Sequence, residues 1–159
     1  MLTVKVKDRD RGLKKLKRNL KNTGKHFVKV GIFGDSASEA HAGTQKSNVE
    51  IAGFQEFGTS RIPARSFIRA TVDAEQNNIK KLQVKLGRNI IKSRTTEPQG
   101  LGLIGAFLQG AIQKRIQGGI SPALSPKTIQ RKGSSKTLID TGQLVQSIAW
   151  AVERGKLKA

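Results

Sequence analysis

The stretch Leu138-Ile139-Asp140-Thr141-Gly142-Gln143-Leu144 runs through Ser147-Ile148 into the alternating residues Trp150 and Val152. Asp140 or Thr141 is placed to cap a short helix carrying Leu144. The period of two in Ile148, Trp150 and Val152 predicts a terminal strand. A strand needs a partner, and Phe27-Val28-Lys29-Val30-Gly31-Ile32-Phe33 supplies one. Val28, Val30 and Ile32 fall on one side and Phe27 and Phe33 on the other, the pattern of a central strand. Between the strands lie two helical stripes: Ile79, Leu82, Leu86 and Ile90, then Ile104, Phe107, Leu108, Ala111, Ile112 and Ile116 as far as Gly118-Gly119. Thr95 to Gly100 reads as the break between them. The expected fold is α+β: a small, mostly antiparallel sheet with strands near 26–34 and 147–154. Two long helices near 67–93 and 101–117 pack against it, with extended loops or arms.

Leu-Ile-Asp-Thr-Gly also looks like the active-site triplet of aspartic proteases, where two carboxylates share one proton. A protease subunit of that kind builds most of its barrel after the triplet, whereas only 17 residues follow Gly142 here. A second Asp-Thr-Gly is absent, and a bulky Gln143 follows where a small residue is required. Asp140 is therefore read as a cap.

The remaining punctuation is dense. Ser125 followed by Pro126 is an N-cap with a first-turn proline, and Gly133 stops the short helix they start. Ser47 and Glu50 have capping-box spacing ahead of Ile51, Ala52, Phe54 and Phe57, with Gly58 as the stop. Glu56-Phe57-Gly58-Thr59 then leads to Ile62-Pro63-Ala64-Arg65-Ser66-Phe67. Gly58 allows a tight exit and Pro63 keeps Ile62 extended, so this is a defined loop. Arg65 is expected to pair with a nearby carboxylate or with carbonyls. Residues 35–46 lack periodicity and read as a mobile polar loop, with His41 alone and solvent-exposed.

At 159 residues the chain fits one domain, or one domain with arms. Two segments are expected: a basic strand and helix arm at 1–25, opened by the alternating Leu2 to Val6 and by Asp8 and Asp10, and an α+β domain at 26–159. With no cysteine, neither a disulfide nor a thiolate metal site is available, which suits a cytoplasmic origin. No apolar run approaches the roughly 18 residues of a membrane span, and the start lacks signal-peptide anatomy. A soluble protein with no membrane partner is expected.

Lys and Arg number 30 against 11 Asp and Glu. Residues 1–30 hold 11 basic and 2 acidic groups, and residues 79–94 hold 6 basic groups and no acid. The first set includes Lys14, Lys15, Lys17, Arg18 and Lys21 around an apolar face of Leu13, Leu16 and Leu20, expected to dock onto the domain's own sheet. The second set includes Lys80, Lys81, Lys85, Arg88 and Lys92, with no acid at i±4 to balance them. These ten are the candidate contacts to DNA or to an acidic partner, since such a field attracts polyanions. A nucleic-acid-binding protein is the alternative function, although the chain has no recognition motif and no Tyr to stack on bases. Neither P-loop nor dinucleotide spacing is present around Gly118-Gly119 or Arg131-Lys132-Gly133.

Four pieces stand in order: Val28-Lys29-Val30-Gly31; Glu56-Phe57-Gly58-Thr59 with Ile62 to Phe67; Leu124-Ser125-Pro126 through Arg131-Lys132-Gly133-Ser134; and Leu138 to Leu144 with Ser147-Ile148. In that order and spacing, roughly residues 26–154 resemble the tail-completion or head–tail joining family of tailed bacteriophages, also known as virion morphogenesis or minor tail proteins. The family usually has a second proline where Ser66 stands. The resemblance implies a non-enzymatic structural subunit without cofactor or metal, assembled in the host cytoplasm and placed at the neck or tail of the virion. It implies a homo-oligomeric ring, six- or twelve-fold, between connector or portal-side and tail-tube proteins, with non-specific DNA contact. The assembly candidates are Glu56, Phe57, Gly58, Thr59, Ile62, Pro63, Arg65, Arg131, Lys132 and Asp140.

Overall fold

The computed structural model describes residues 12–41, 45–133, 135–139 and 142–155. The expected Leu2 to Val6 strand, Asp8, Asp10, Asp140 and Thr141 lie outside them. The fold is α+β, with a two-stranded antiparallel sheet and two long helices packed against it.

Strand β1 (His26–Gly31) pairs with β2 (Ala149–Arg154) so that Val28 faces Val152 and Val30 faces Trp150. Among the described residues β1 has one strand partner, β2, where a central strand with two was expected. Ile32 and Phe33 continue past the end of β1, and Ile148 sits just before β2, wholly buried.

The helices follow in chain order: α1 (Leu13–Lys21), α2 (Asp35–Ser38), α3 (Asn48–Phe57), α4 (Arg69–Ile91), α5 (Glu97–Gln117), α6 (Pro126–Lys132) and α7 (Gln143–Gln146). The capping box of α3 forms as its sequence predicts, and Ser125 caps α6 through the Thr128 N–H. α7 starts after its N-cap residue Gly142, whose positive φ of 79° sets the turn.

The Thr95 to Gly100 segment is a helix start as well as a break. α5 begins at Glu97, with Pro98 in its first turn and the Gln99 side chain accepting the Thr96 N–H at 3.1 Å. Proline lacks a donor that the first turn does not need, so a residue that reads as a breaker initiates the helix.

α5 lies directly on the sheet because it has glycines where it meets other elements. A Cβ on Gly105 would come within 2.9 Å of Val28 and 3.0 Å of Trp150. One on Gly100 would run into the Leu86 side chain of α4. The core gathers Phe67, Ile112, Ile116, Ile120, Leu144 and Ile148, with Ala52 of α3 and the partly buried Val30 and Ile32 at its edge. Hydrophobic burial of this cluster fixes the end of the sheet to the start of α4 and the second half of α5.

Among the described elements α1 packs mainly against α4, where docking onto the sheet was expected, and α5 takes the face of the sheet. The segment that starts at residue 35 opens with α2, and its Ala40 forms a bridge with Ser47. His41 is half-buried and bonded to Asn48 at 2.8 Å, which corrects its expected exposure. Asn48, itself fully buried, also donates to the Ser36 carbonyl and so ties this segment to α3.

Candidate functional site

Four backbone N–H groups at the start of any helix lack intrahelical partners. At the start of α4 three N–H groups find one carboxylate, and a fourth, that of Ala70, donates to the Ser66 hydroxyl at 3.2 Å. Glu56, in the last turn of α3, accepts from the N–H groups of Phe67 at 2.7 Å, Ile68 at 2.9 Å and Arg69 at 3.0 Å. The Ser66 hydroxyl adds a bond of 2.7 Å and the Arg69 guanidinium one of 3.1 Å. Glu56 is only 4% exposed. Burial opposes its ionisation more than any other single influence. The bonds from Ile68, Ser66, Arg69 and Phe67 together outweigh burial and hold its pKa at about 2.

Arg65 braces the same corner from the other side. Its Nε donates to the Pro122 carbonyl at 2.8 Å, and its two terminal nitrogens reach the Ala123 carbonyl and Gln55 Oε1, each at 3.3 Å. The expectation of carbonyl partners for Arg65 is met. Its backbone N–H also bonds the Gln55 carbonyl at 2.6 Å. Two charged side chains thus fasten the loop between α3 and α4, one to a helix end and one to the 122–123 turn.

Between these anchors the loop is tight. Gly58 has φ 76°, and a Cβ there would come within 2.8 Å of the Ala64 backbone nitrogen. Thr59 donates its N–H to the Ile62 carbonyl and accepts from the Arg61 and Ile62 N–H groups through its hydroxyl. Phe57 stands 67% exposed, with the Arg69 guanidinium over its ring at 4.6 Å. Pro63 is exposed and Ile62 half-buried. A cleft of about 390 Å³ runs between this loop and the start of α6, lined by Ile62, Pro63 and Arg65 on one side and Leu124, Ser125 and Thr128 on the other. Two of the four sequence pieces that carry the resemblance therefore meet here. Arg131 and Lys132 lie in the last turn of the same α6.

The basic candidates form a second surface. Lys14, Lys15, Lys17, Arg18 and Lys21 are exposed on α1, as are Lys80, Lys81, Lys85 and Arg88 on α4 and Lys92 at its end. Because α1 packs against α4, the two basic segments are neighbours. Glu97 at the start of α5 secures this arrangement. It accepts the Gly24 and Lys25 N–H groups and bonds His26 Nδ1 at 2.8 Å. Burial raises the Glu97 pKa, but the bonds from His26, Gly24 and Lys25 lower it further, for a net downward shift.

No protein-family model, curated protein or solved structure matches this chain. Among the described residues, no three His, Cys, Asp or Glu side chains are grouped to hold a metal ion. No helix among them is long and apolar enough to cross a membrane.

Gln55, Arg69 and Arg115 belong to the braced corner, Arg115 through a 3.3 Å bond to the Ser66 carbonyl. The sequence gives no local signal for their part in it, since Arg115 and Ser66 are 49 positions apart.

Proposed function

We propose that this chain is a structural subunit of a tailed-phage virion, forming a ring at the head-to-tail junction. The observation that carries the proposal is the braced corner: an exposed Phe57 and Pro63 held by a buried Glu56 and a buried Arg65 whose bonding capacity is used within the fold. A subunit that repeats around an axis must present its contact residues in one geometry, because a heterologous interface closes into a ring only at a fixed rotation. Exposed apolar residues on a stiff loop suit such a contact. The sequence resemblance supplies the biological setting, and the basic side of α1 and α4 suits a position near DNA or an acidic neighbour.

Labelling the protein in a tailed virion that carries it and imaging the particles tests the location. Signal at the junction of head and tail is the expected result. Signal distributed over the capsid shell, or none in purified virions, contradicts the proposal.

The second reading, a nucleic-acid-binding protein, draws on the adjacency of the two exposed basic helices. Their charges are arranged along helix surfaces without aromatic side chains among them, which suits backbone attraction better than base recognition.

A further inference from the structure

The basic helices carry uncovered aliphatic residues as well as charge. On α1, Leu13 is 57% exposed and Leu20 49%, while Leu16 between them is partly buried. On α4, Val84 is 54% exposed and Ile91 59%. Each pair is seven residues apart, two turns or roughly 10 Å along one helix face. Lys15, Lys17, Arg18 and Lys21 stand exposed around the α1 pair, and α1 itself contains no acidic residue.

A phosphate backbone matches the lysines but leaves Leu13 and Leu20 in water. An anionic bilayer would need a continuous apolar face sunk into the headgroup boundary. α1 is nine residues long, with Leu16 partly withdrawn, and the chain just after it is fastened by Glu97 to the start of α5. An amphipathic helix with an acidic polar side matches both features at once. Its apolar residues cover the leucines and its carboxylates meet the surrounding lysines.

The geometry points to the exposed face of α1 as a docking site for an acidic amphipathic helical segment of a neighbouring protein. This assignment rests on the reading of the chain as an assembly subunit and names the chemistry of one neighbour.

The test uses the full chain at about 0.15 M salt, where surface charge alone is well screened. The probe is a labelled synthetic helical peptide with leucines at i and i+7 on one face and glutamates elsewhere. The controls are the same peptide with serines for leucines, a DNA duplex, and phosphatidylserine vesicles. The parent peptide is expected to bind, and replacing its leucines should weaken it about tenfold, as should Leu13→Ser with Leu20→Ser in the protein. Leu13→Met with Leu20→Met should keep binding. That separates loss of apolar contact from loss of fold, and duplex binding should not change in either variant. Equal binding of the serine peptide overturns the assignment, as does vesicle binding that depends on Leu13 and Leu20 without peptide binding. The mass of the peptide-free protein reads ring formation separately. A monomer that binds the peptide refutes the ring and keeps the docking face.

Discussion

Glu56 and Phe67 are joined by a bond of 2.7 Å from a backbone N–H to a carboxylate, eleven positions back along the chain. That bond, with its neighbours on Ile68 and Arg69, makes a side chain of α3 the cap of α4. It turns the loop between them into a fixed bend.

Removing the cap should therefore loosen two helices together. Glu56→Ala leaves buried N–H donors without an acceptor and should cost about 3 kcal/mol, a fall in Tm of roughly 6–12 °C. The folded pKa of about 2 lies below the ordinary 4.5, so the stabilisation is fully present above about 4.5 and is lost as pH falls toward 2. Glu97, also shifted downward, adds to the loss in the same direction. Thermal unfolding across this range should show the gap between wild type and Glu56→Gln closing as pH drops. A gap that stays constant to pH 2 would mean that Glu56 is not ionised in the fold.

The glycines of α5 give a paired test of how it meets the sheet. Gly105→Ala would press a methyl group against Val28 and Trp150 and should destabilise by about 1–3 kcal/mol. Gly110 lies in the same helix, and a methyl group there would meet nothing within 4 Å, so Gly110→Ala should stabilise by about 0.5–1 kcal/mol. Equilibrium denaturation of both variants measures this, and equal effects would contradict the close approach of α5 to β1 and β2.

Much of the fold is legible in the sequence, and the rest escapes it for identifiable reasons. The strands around Val28 and Trp150, the stripe from Ile79 to Ile90 and the Ser47 and Ser125 caps are local patterns, and local patterns survive folding. The start of α5 is hidden because Pro98 and Gly100 read as breakers, while a first turn accepts the proline and the contact with Leu86 requires the glycine. Within the candidate site, Phe57, Gly58 and Pro63 stand out by residue type. The partners of Glu56 and Arg65 do not, since Arg65 and Pro122 meet only through the tertiary fold.

Loop presentation can be separated from loop folding. Gly58 sits at a positive φ against the Ala64 backbone, so Gly58→Ala strains the loop itself. Pro63 is exposed, so Pro63→Ala should leave Tm within about 2 °C of wild type, a surface effect of roughly half a kcal/mol, yet impair incorporation into particles. Normal incorporation of Pro63→Ala would remove the loop from the contact surface.

The basic helices predict a particular salt response. A ring subunit that meets DNA only through its phosphates should bind free duplex weakly, without sequence preference, and lose it steeply with salt. Charge reversal at Lys81 and Lys85 should flatten that dependence. Filter binding of several duplexes across a salt series measures it. Sequence-selective binding that persists near 0.15 M salt would favour the nucleic-acid-binding reading, because base contacts survive screening.

The ring itself is tested most directly by native mass measurement of the purified full chain over a range of concentrations. The subunit is 17.3 kDa. A structural ring subunit should give one dominant closed species at a fixed multiple of that mass, weakened by Phe57→Ser. A monomer at every concentration, with the same result for wild type and Phe57→Ser, would contradict it.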